Sequence, residues 1–266
     1  MNFFFFGTGD RQLFGAYHAS RAGAGERGAA LLCPPWGPEY IASHRILRRL
    51  ALMLSESGYN VLRFDYFGTG DSSGTREDGD LDSWYADACL AIDELRDMSG
   101  ATSVTVFGVR LGAHVGWRLA TERDDVDAVV MWDPVIDGTQ YLRALVSAQV
   151  EIDRWWLSSR HRRRSPDLHD KRGTIDLLGF PLTAAMRRSI EAITLGDYAR
   201  PTSARVSVFY SRVDPDEASL RATFASAGTV AASETMVGQT PWRDDESMIA
   251  GELPFAMLER MVEVVS

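Results

Sequence analysis

Short apolar runs alternate with longer stretches of helical periodicity along most of this 266-residue chain. Asn2 to Phe6 and Gln12 to His18 read as an antiparallel pair of strands joined by the turn Gly7-Thr8-Gly9-Asp10. A loose polar loop follows at 21–28, then an apolar strand at Ala29 to Leu32. Ile41 to Ser57 has helical periodicity and stops at Gly58, and Tyr59 to Phe64 is the next strand. Leu81 to Met98 reads as a helix, Ser103 to Phe107 as a buried strand, Leu111 to Thr121 as a helix and Val126 to Trp132 as a strand. The alternation then breaks: 135–204 is helical and polar, with no clear strand. It resumes with strands at Arg205 to Tyr210 and Thr229 to Met236 and helices near 216–226 and 246–264. Strands alternating with helices predict an α/β fold, a mostly parallel sheet of eight strands with helices on both faces. The predicted core is 1–134 plus 205–266, and 135–204 is predicted to be a helical cap inserted after the sixth strand, over the carboxyl edge of the sheet.

The fifth strand-like run leads into Gly108-Val109-Arg110-Leu111-Gly112-Ala113. A strand that turns sharply into a helix needs glycine on either side of the turning residue, where a Cβ would clash. Gly108 and Gly112 supply both. This strand, G-x-x-x-G and helix arrangement is similar to the nucleophile elbow of the α/β-hydrolases, G-x-S-x-G, with Arg110 in the place of the serine.

Composition narrows the classes. A length of 266 residues with 45% hydrophobic content can bury one large core. The formal charge of −9 leaves no basic face for a nucleic acid. Cys33 and Cys89 make neither a disulfide framework nor a metal motif, as expected of a reducing compartment. The start MNFFFFGTGD lacks a basic leader, and no stretch has the ~20 apolar residues of a membrane span. A cytoplasmic protein with no cofactor, no metal and no membrane partner is therefore expected, with a homodimer left open.

Three segments carry a closer resemblance: Cys33-Pro34-Pro35-Trp36-Gly37-Pro38-Glu39-Tyr40, Arg63-Phe64-Asp65-Tyr66-Phe67-Gly68-Thr69-Gly70-Asp71-Ser72, and Gly108 to Ala113. Together they resemble α/β-hydrolases of the serine aminopeptidase-like group, in particular those associated with exosortase systems or biosynthetic clusters. The likeness covers most of the chain and is weakest in the cap. That group includes triad-less proteins, one type of which epimerises an aspartate in a bottromycin precursor peptide. The resemblance thus implies an α/β-hydrolase fold and allows a role in tailoring a natural product.

Departures from the hydrolase pattern are specific. The triad of that fold runs serine, then acid, then histidine. Asp214 or Asp216 stands where the acid belongs, after Tyr210, but the loop around Gln239 and Trp242 holds no histidine. All five histidines, His18, His44, His114, His161 and His169, lie upstream of the acid. Glutamine is no general base near neutral pH and a guanidinium stays protonated, so a Ser-His-Asp mechanism is unavailable.

What the pattern retains is a shaped pocket. The Leu111 amide opens a helix, and Pro34 to Gly37 occupies the oxyanion-loop position, so partial positive charge converges there. Arg110 either anchors an anionic substrate group or turns inward to an acid such as Asp133, Asp65 or Asp214. Asp133 comes just after its strand at the carboxyl edge, where it can face the pocket or cap a turn, and Asp214 is either a triad relic or a helix cap ahead of Pro215. His44 and His114 are candidate proton carriers, weighed against ordinary packing. Cys33 is a candidate nucleophile, weighed against a place in the core. Trp36, Gly37, Tyr40, Tyr66, Val109, Leu111, Gln239 and Trp242 are expected to line the ligand site. The glycine-rich run Gly68 to Gly74 lacks the residues of a phosphate loop, and the basic run Arg160-His161-Arg162-Arg163-Arg164 is expected to be solvated surface.

With Arg110, Asp133 and His44 as the candidate catalytic set, the leading expectation is isomerisation, epimerisation or cyclisation beside a polarised carbonyl. Its substrate would be a small molecule or a modified peptide bearing an anionic group. Two alternatives stand beside it: a hydrolase or acyltransferase with unorthodox residues, and a silent ligand-binding protein.

Overall fold

The computed structural model describes residues 1–21, 28–156, 173–214, 216–237, 242 and 253–266, apart from the side chains of 152 and 154–156. The strands are β1 (Asn2–Thr8), β2 (Arg11–His18), β3 (Gly28–Cys33), β4 (Tyr59–Phe64), β5 (Val104–Val109) and β6 (Val126–Trp132), then β7 (Ile175–Leu177), β8 (Phe180–Leu182), β9 (Arg205–Tyr210) and β10 (Ala231–Thr235). Between them run α1 (Pro38–Glu56), α2 (Leu81–Ser99), α3 (Leu111–Glu122), α4 (Gly138–Trp156), α5 (Ala184–Glu191) and α6 (Glu217–Ser226). A 3-10 turn at Leu195–Ala199 precedes β9, and a last helix covers Phe255–Glu263.

Eight strands form one sheet in the order β1-β2-β4-β3-β5-β6-β9-β10. The β1–β2 and β2–β4 pairs are antiparallel, and every other pair is parallel. This is the α/β-hydrolase fold that the sequence pattern predicts. All six residues of β5 are buried, as parallel strands covered on both faces require. One core, built around α2 and α3, includes Trp84, Trp117, Leu31 and Val106. The other, under α1 and the last helix, includes Leu32, Phe107, Leu50 and Met261.

Local chemistry sets the ends of the helices. Pro38 sits in the first turn of α1, where its missing N–H costs nothing, so the helix starts ahead of the predicted Ile41. Asp80 and Ser83 form a reciprocal capping box on α2, and Gly100 closes that helix at φ 70°.

The expectation of no strand in 135–204 is corrected. β7 and β8 pair antiparallel through Leu178 and Gly179, which have φ values of 56° and 82°. Strands of three residues are too short to show a period, and a leucine at positive φ departs from the Asn-Gly turn signature.

Candidate functional site

Strand order reverses at β3 and β5, and the loops leaving the carboxyl ends of such strands flank a crevice in open α/β sheets. Here those loops are Pro34 to Gly37 and the turn at Arg110. The elbow is built as its glycines predict: a Cβ on Gly108 would run into the Gly112 carbonyl and Ala113, and one on Gly112 into the carbonyls of Cys33 and Pro34. Arg110 takes the turn at φ 55°, ψ −117°. Its N–H donates to the Trp132 carbonyl at 3.0 Å and its carbonyl accepts from Ala113 at 3.0 Å. A non-glycine residue held there stores on the order of 1–3 kcal/mol of strain.

The Arg110 side chain turns inward, to an acid that the sequence reading did not name. Its Nε donates to Glu39 Oε1 at 3.0 Å, one Nη donates to the Asp133 carbonyl at 2.8 Å, and its guanidinium lies 5.3 Å from the centre of the Tyr141 ring. Tyr141 in turn donates to Glu39 Oε2 at 2.8 Å, so both carboxylate oxygens are used. Glu39 is 3% exposed and Tyr141 5%. Burial on its own would weaken the guanidinium as a base; the Glu39 carboxylate, then Tyr141 and Asp133, more than reverse this and raise its pKa. Breaking one side of such a buried pair costs about 3–5 kcal/mol, because the partner is left charged and dry. The partners expected for Arg110 are therefore corrected: Asp133 serves through its backbone carbonyl, Asp214 pairs with Arg212 at 3.3 Å, and Asp65 holds Tyr40.

Asp133 is the second non-glycine residue in this region at positive φ, 43°. Its Oδ1 accepts from the Ser211 N–H at 2.9 Å, while Oδ2 is buried without a partner. Burial raises its pKa, against opposing pulls from Arg110 and the Ser211 amide. Beside Arg110 opens a cavity of about 360 Å³ whose charged lining includes Arg143, Arg212, Asp137, Asp214 and Asp216.

Residues 40–177 match the family model described as serine aminopeptidase, S33, a span of more than half the chain. The chain belongs to the serine aminopeptidase S33 family. Among curated proteins, human Protein ABHD12B is 35% identical over 97 residues, a stretch covering 35% of this chain and 25% of that protein. The match thus spans about a quarter of that relative's length. Est1E from Butyrivibrio proteoclasticus, solved with ferulic acid bound, is similar with a TM-score of 0.66, 18% identity, and 98% of this chain and 96% of that chain covered. An alpha-beta serine hydrolase homologue from Coxiella burnetii gives a TM-score of 0.61 at 13% identity, covering 100% of this chain and 97% of that one. At such identities these structures show the shared fold alone.

Within this S33 fold the expected site residues divide among separate places. Trp36, Gly37 and Tyr40 line a second 360 Å³ cavity with Arg76 and Phe180, and Trp36 meets the Phe180 ring edge-on at 6.2 Å. His44 is exposed and lines a third cavity with Tyr40 and Asp65, so it is not joined to Arg110 in the cavity where catalysis was expected. Three lining expectations are corrected to core: Val109 and Leu111 are 1% and 0% exposed, and Tyr66 is stacked on Trp84 at 4.1 Å. The backbone periods that bury β5 and α3 on both sides leave these side chains no open face. Cys33 is fully buried, and burial pushes its thiol up to about 12, which fits a core residue rather than a nucleophile.

His114 is buried against Tyr198 and lines a smaller cavity with Asp82, Arg118 and Asp197, away from Arg110. Trp242 meets Trp132, the last residue of β6, edge-on at 4.9 Å. Gln239 and the basic run 160–164 lie outside the described residues. Among the described residues no cluster could hold a metal ion and no helix is long and apolar enough to cross a membrane.

Glu39 and Tyr141 are the residues that sequence reasoning missed. Glu39 falls on the stripe of α1 that carries Ser43, Ile46, Leu47, Leu50 and Leu54, and an acid on the apolar face of a helix signals a buried cationic partner.

Proposed function

We propose that this chain is a non-hydrolytic member of its family that binds a small molecule or modified peptide in the cavity at Arg110. The observation that carries the reading is the elbow itself: the family's geometry is intact, while the residue at its tip is a guanidinium held by Glu39, the Asp133 carbonyl and Tyr141. A guanidinium is neither a nucleophile nor a base, and no histidine follows His169 in the sequence. The cavity's mixed charge, with Arg143 and Arg212 facing Asp137, Asp214 and Asp216, suits a zwitterionic or anionic group such as the end of a peptide. Residues 135–204 act in this reading as its cap, since Gln140, Tyr141, Arg143 and Ser147 of α4 form one wall.

The reaction class these groups support is isomerisation or epimerisation at a carbon beside a carbonyl. The base in this reading is the Asp133 carboxylate, raised in pKa by burial; it stands next to the lining residue Pro134, behind the cavity wall, and the substrate carbon must reach its unpartnered Oδ2. The enolate oxygen then faces the positive charge of Arg110, and delivery of a solvent-exchanged proton to the carbon, on the opposite face for an epimerisation, completes a reaction with no net loss of atoms. A second reading, binding without turnover, is favoured by a different observation: Asp133 Oδ2 is shut away from solvent.

Incubation with an extract of the source cells in deuterium oxide, followed by mass spectrometry, separates the two. One deuteron gained at carbon by a single metabolite, and lost with Asp133→Asn, supports the reaction. A metabolite retained on the protein but unlabelled supports binding alone, and a product heavier by the elements of water overturns the non-hydrolytic reading.

A further inference from the structure

A cavity of about 530 Å³, larger than the one at Arg110, lies between α1 and the strands β1, β2 and β4. Three apolar side chains, Phe3, Phe14 and Leu47, two cations, Arg48 and Arg63, and two acids, Asp65 and Asp71, form most of its character. The apolar wall continues outward: Phe3 and Phe5 are 59% and 58% exposed, and both rings pack on Phe14. Such an exposed aromatic strip beside a cavity marks a contact surface for an apolar ligand.

The cations are unanswered. Arg63 is half-buried on β4 and its Nε is closed to solvent without a hydrogen-bond partner. Among the described residues neither Arg63 nor Arg48 has an ion pair within 4 Å. Two acids, Asp65 and Asp71, line the same cavity; Asp65 attracts Arg63 at a distance, but its oxygens accept from the Tyr40 hydroxyl at 2.7 Å and the Asp71 N–H at 3.0 Å. A guanidinium N–H closed off from water without an acceptor is costly, and an anion entering the cavity would relieve that cost.

We propose that this cavity is a binding site for an amphipathic anion, with a carboxylate or phosphate head on Arg63 and Arg48 and a hydrocarbon chain along Phe3, Phe14 and Leu47. It involves none of the groups invoked at Arg110, so either proposal stands if the other fails.

Isothermal titration of the full chain with dodecyl phosphate, laurate and dodecanol, each below its micellar concentration, tests it. The two anions bind one to one, and the uncharged alcohol binds about tenfold more weakly or less, a gap of about 1.4 kcal/mol. Arg48→Met and Arg63→Met each weaken the anions by about tenfold and leave the alcohol unchanged, whereas Arg143→Met, in the other cavity, changes neither. Arg48 is exposed on α1, so its variant keeps the test alive if Arg63→Met does not fold. Flotation with phosphatidylglycerol vesicles distinguishes the source of the head group. Co-flotation lost in Arg48→Met assigns the site to a lipid surface, and binding of dodecyl phosphate without co-flotation assigns it to a free amphiphile. Dodecanol binding as tightly as the phosphate, anion affinity unchanged in Arg48→Met, or no saturable binding of either anion overturns the proposal.

Discussion

Arg110 and Arg63 are both arginines sunk among apolar groups near the carboxyl ends of neighbouring parts of one sheet, and the fold treats them in opposite ways. Arg110 has a carboxylate, a backbone carbonyl and an aromatic face around it. Arg63 has a closed-off Nε with no partner and a cavity in front of it. Helix α1 serves both regions, sending Glu39 to the first and Arg48 to the second. A cation whose acceptors are supplied by the chain is fixed in place and acts on a ligand as a preset charge. A cation left without them has capacity to spare. The S33 frame of this chain therefore carries its most conspicuous substitution at a locked position and its most available charge elsewhere.

Removing the lock has the largest expected effect. Glu39→Leu leaves Arg110 buried without its carboxylate and lowers the stability measured by urea denaturation by about 3–5 kcal/mol. The double variant Glu39→Leu with Arg110→Met recovers much of that loss, because no charge is then stranded; additive losses would show that the pair is not coupled.

A titration comes next and separates arginines, which do not titrate, from buried histidines, which do. Desolvation pushes His114 down to about 4, against an opposing pull from Asp197. Between pH 6.5 and about 4 the unfolded chain binds a proton that the native state refuses, so wild-type stability falls as pH drops through this window. His114→Gln loses that part of the slope, roughly 3 kcal/mol by the 1.36 kcal/mol per unit rule, and the comparison of the two proteins between pH 7 and 4 reads it out.

Tyr141→Phe is expected to cost about 1–3 kcal/mol, since it strips Glu39 Oε2 of its buried donor while leaving the ring under Arg110. The smallest effect belongs to Arg63→Met, within about 1 kcal/mol of wild type, because among the described residues no ion pair within 4 Å is lost. A loss comparable to that of Glu39→Leu would show that Arg63 is locked as well and would erase the contrast.

The sheet and its elbow were legible because they rest on local rules. Gly108 and Gly112 flank a position where only glycine fits, and apolar runs of six residues between helices can form little but a covered parallel sheet. The site was less legible because its partners are distant in sequence. Glu39 lies 71 positions from Arg110 and Tyr141 lies 102 from Glu39, and no local rule joins them. Only the helical stripe on which Glu39 sits carried a trace of it. His44 illustrates the reverse error: nearness to the loop after β3 suggested the elbow, but one turn of helix separates Glu39 from Ser43, and His44 falls on the other side with Tyr40, whose ring it meets at 6.4 Å.

On the proposed reading, a locked guanidinium leaves this elbow without a covalent nucleophile. The most direct test of that reading is intact-mass spectrometry of the folded protein after treatment with a fluorophosphonate, run beside hydrolysis of p-nitrophenyl butyrate, for the wild type and Arg110→Ser. The wild type is expected to give no adduct and no hydrolysis above the buffer rate, and Arg110→Ser, which gains a hydroxyl but no base, no esterase activity. A stoichiometric single adduct on the folded wild type, abolished by denaturation and accompanied by ester turnover, would contradict the reading.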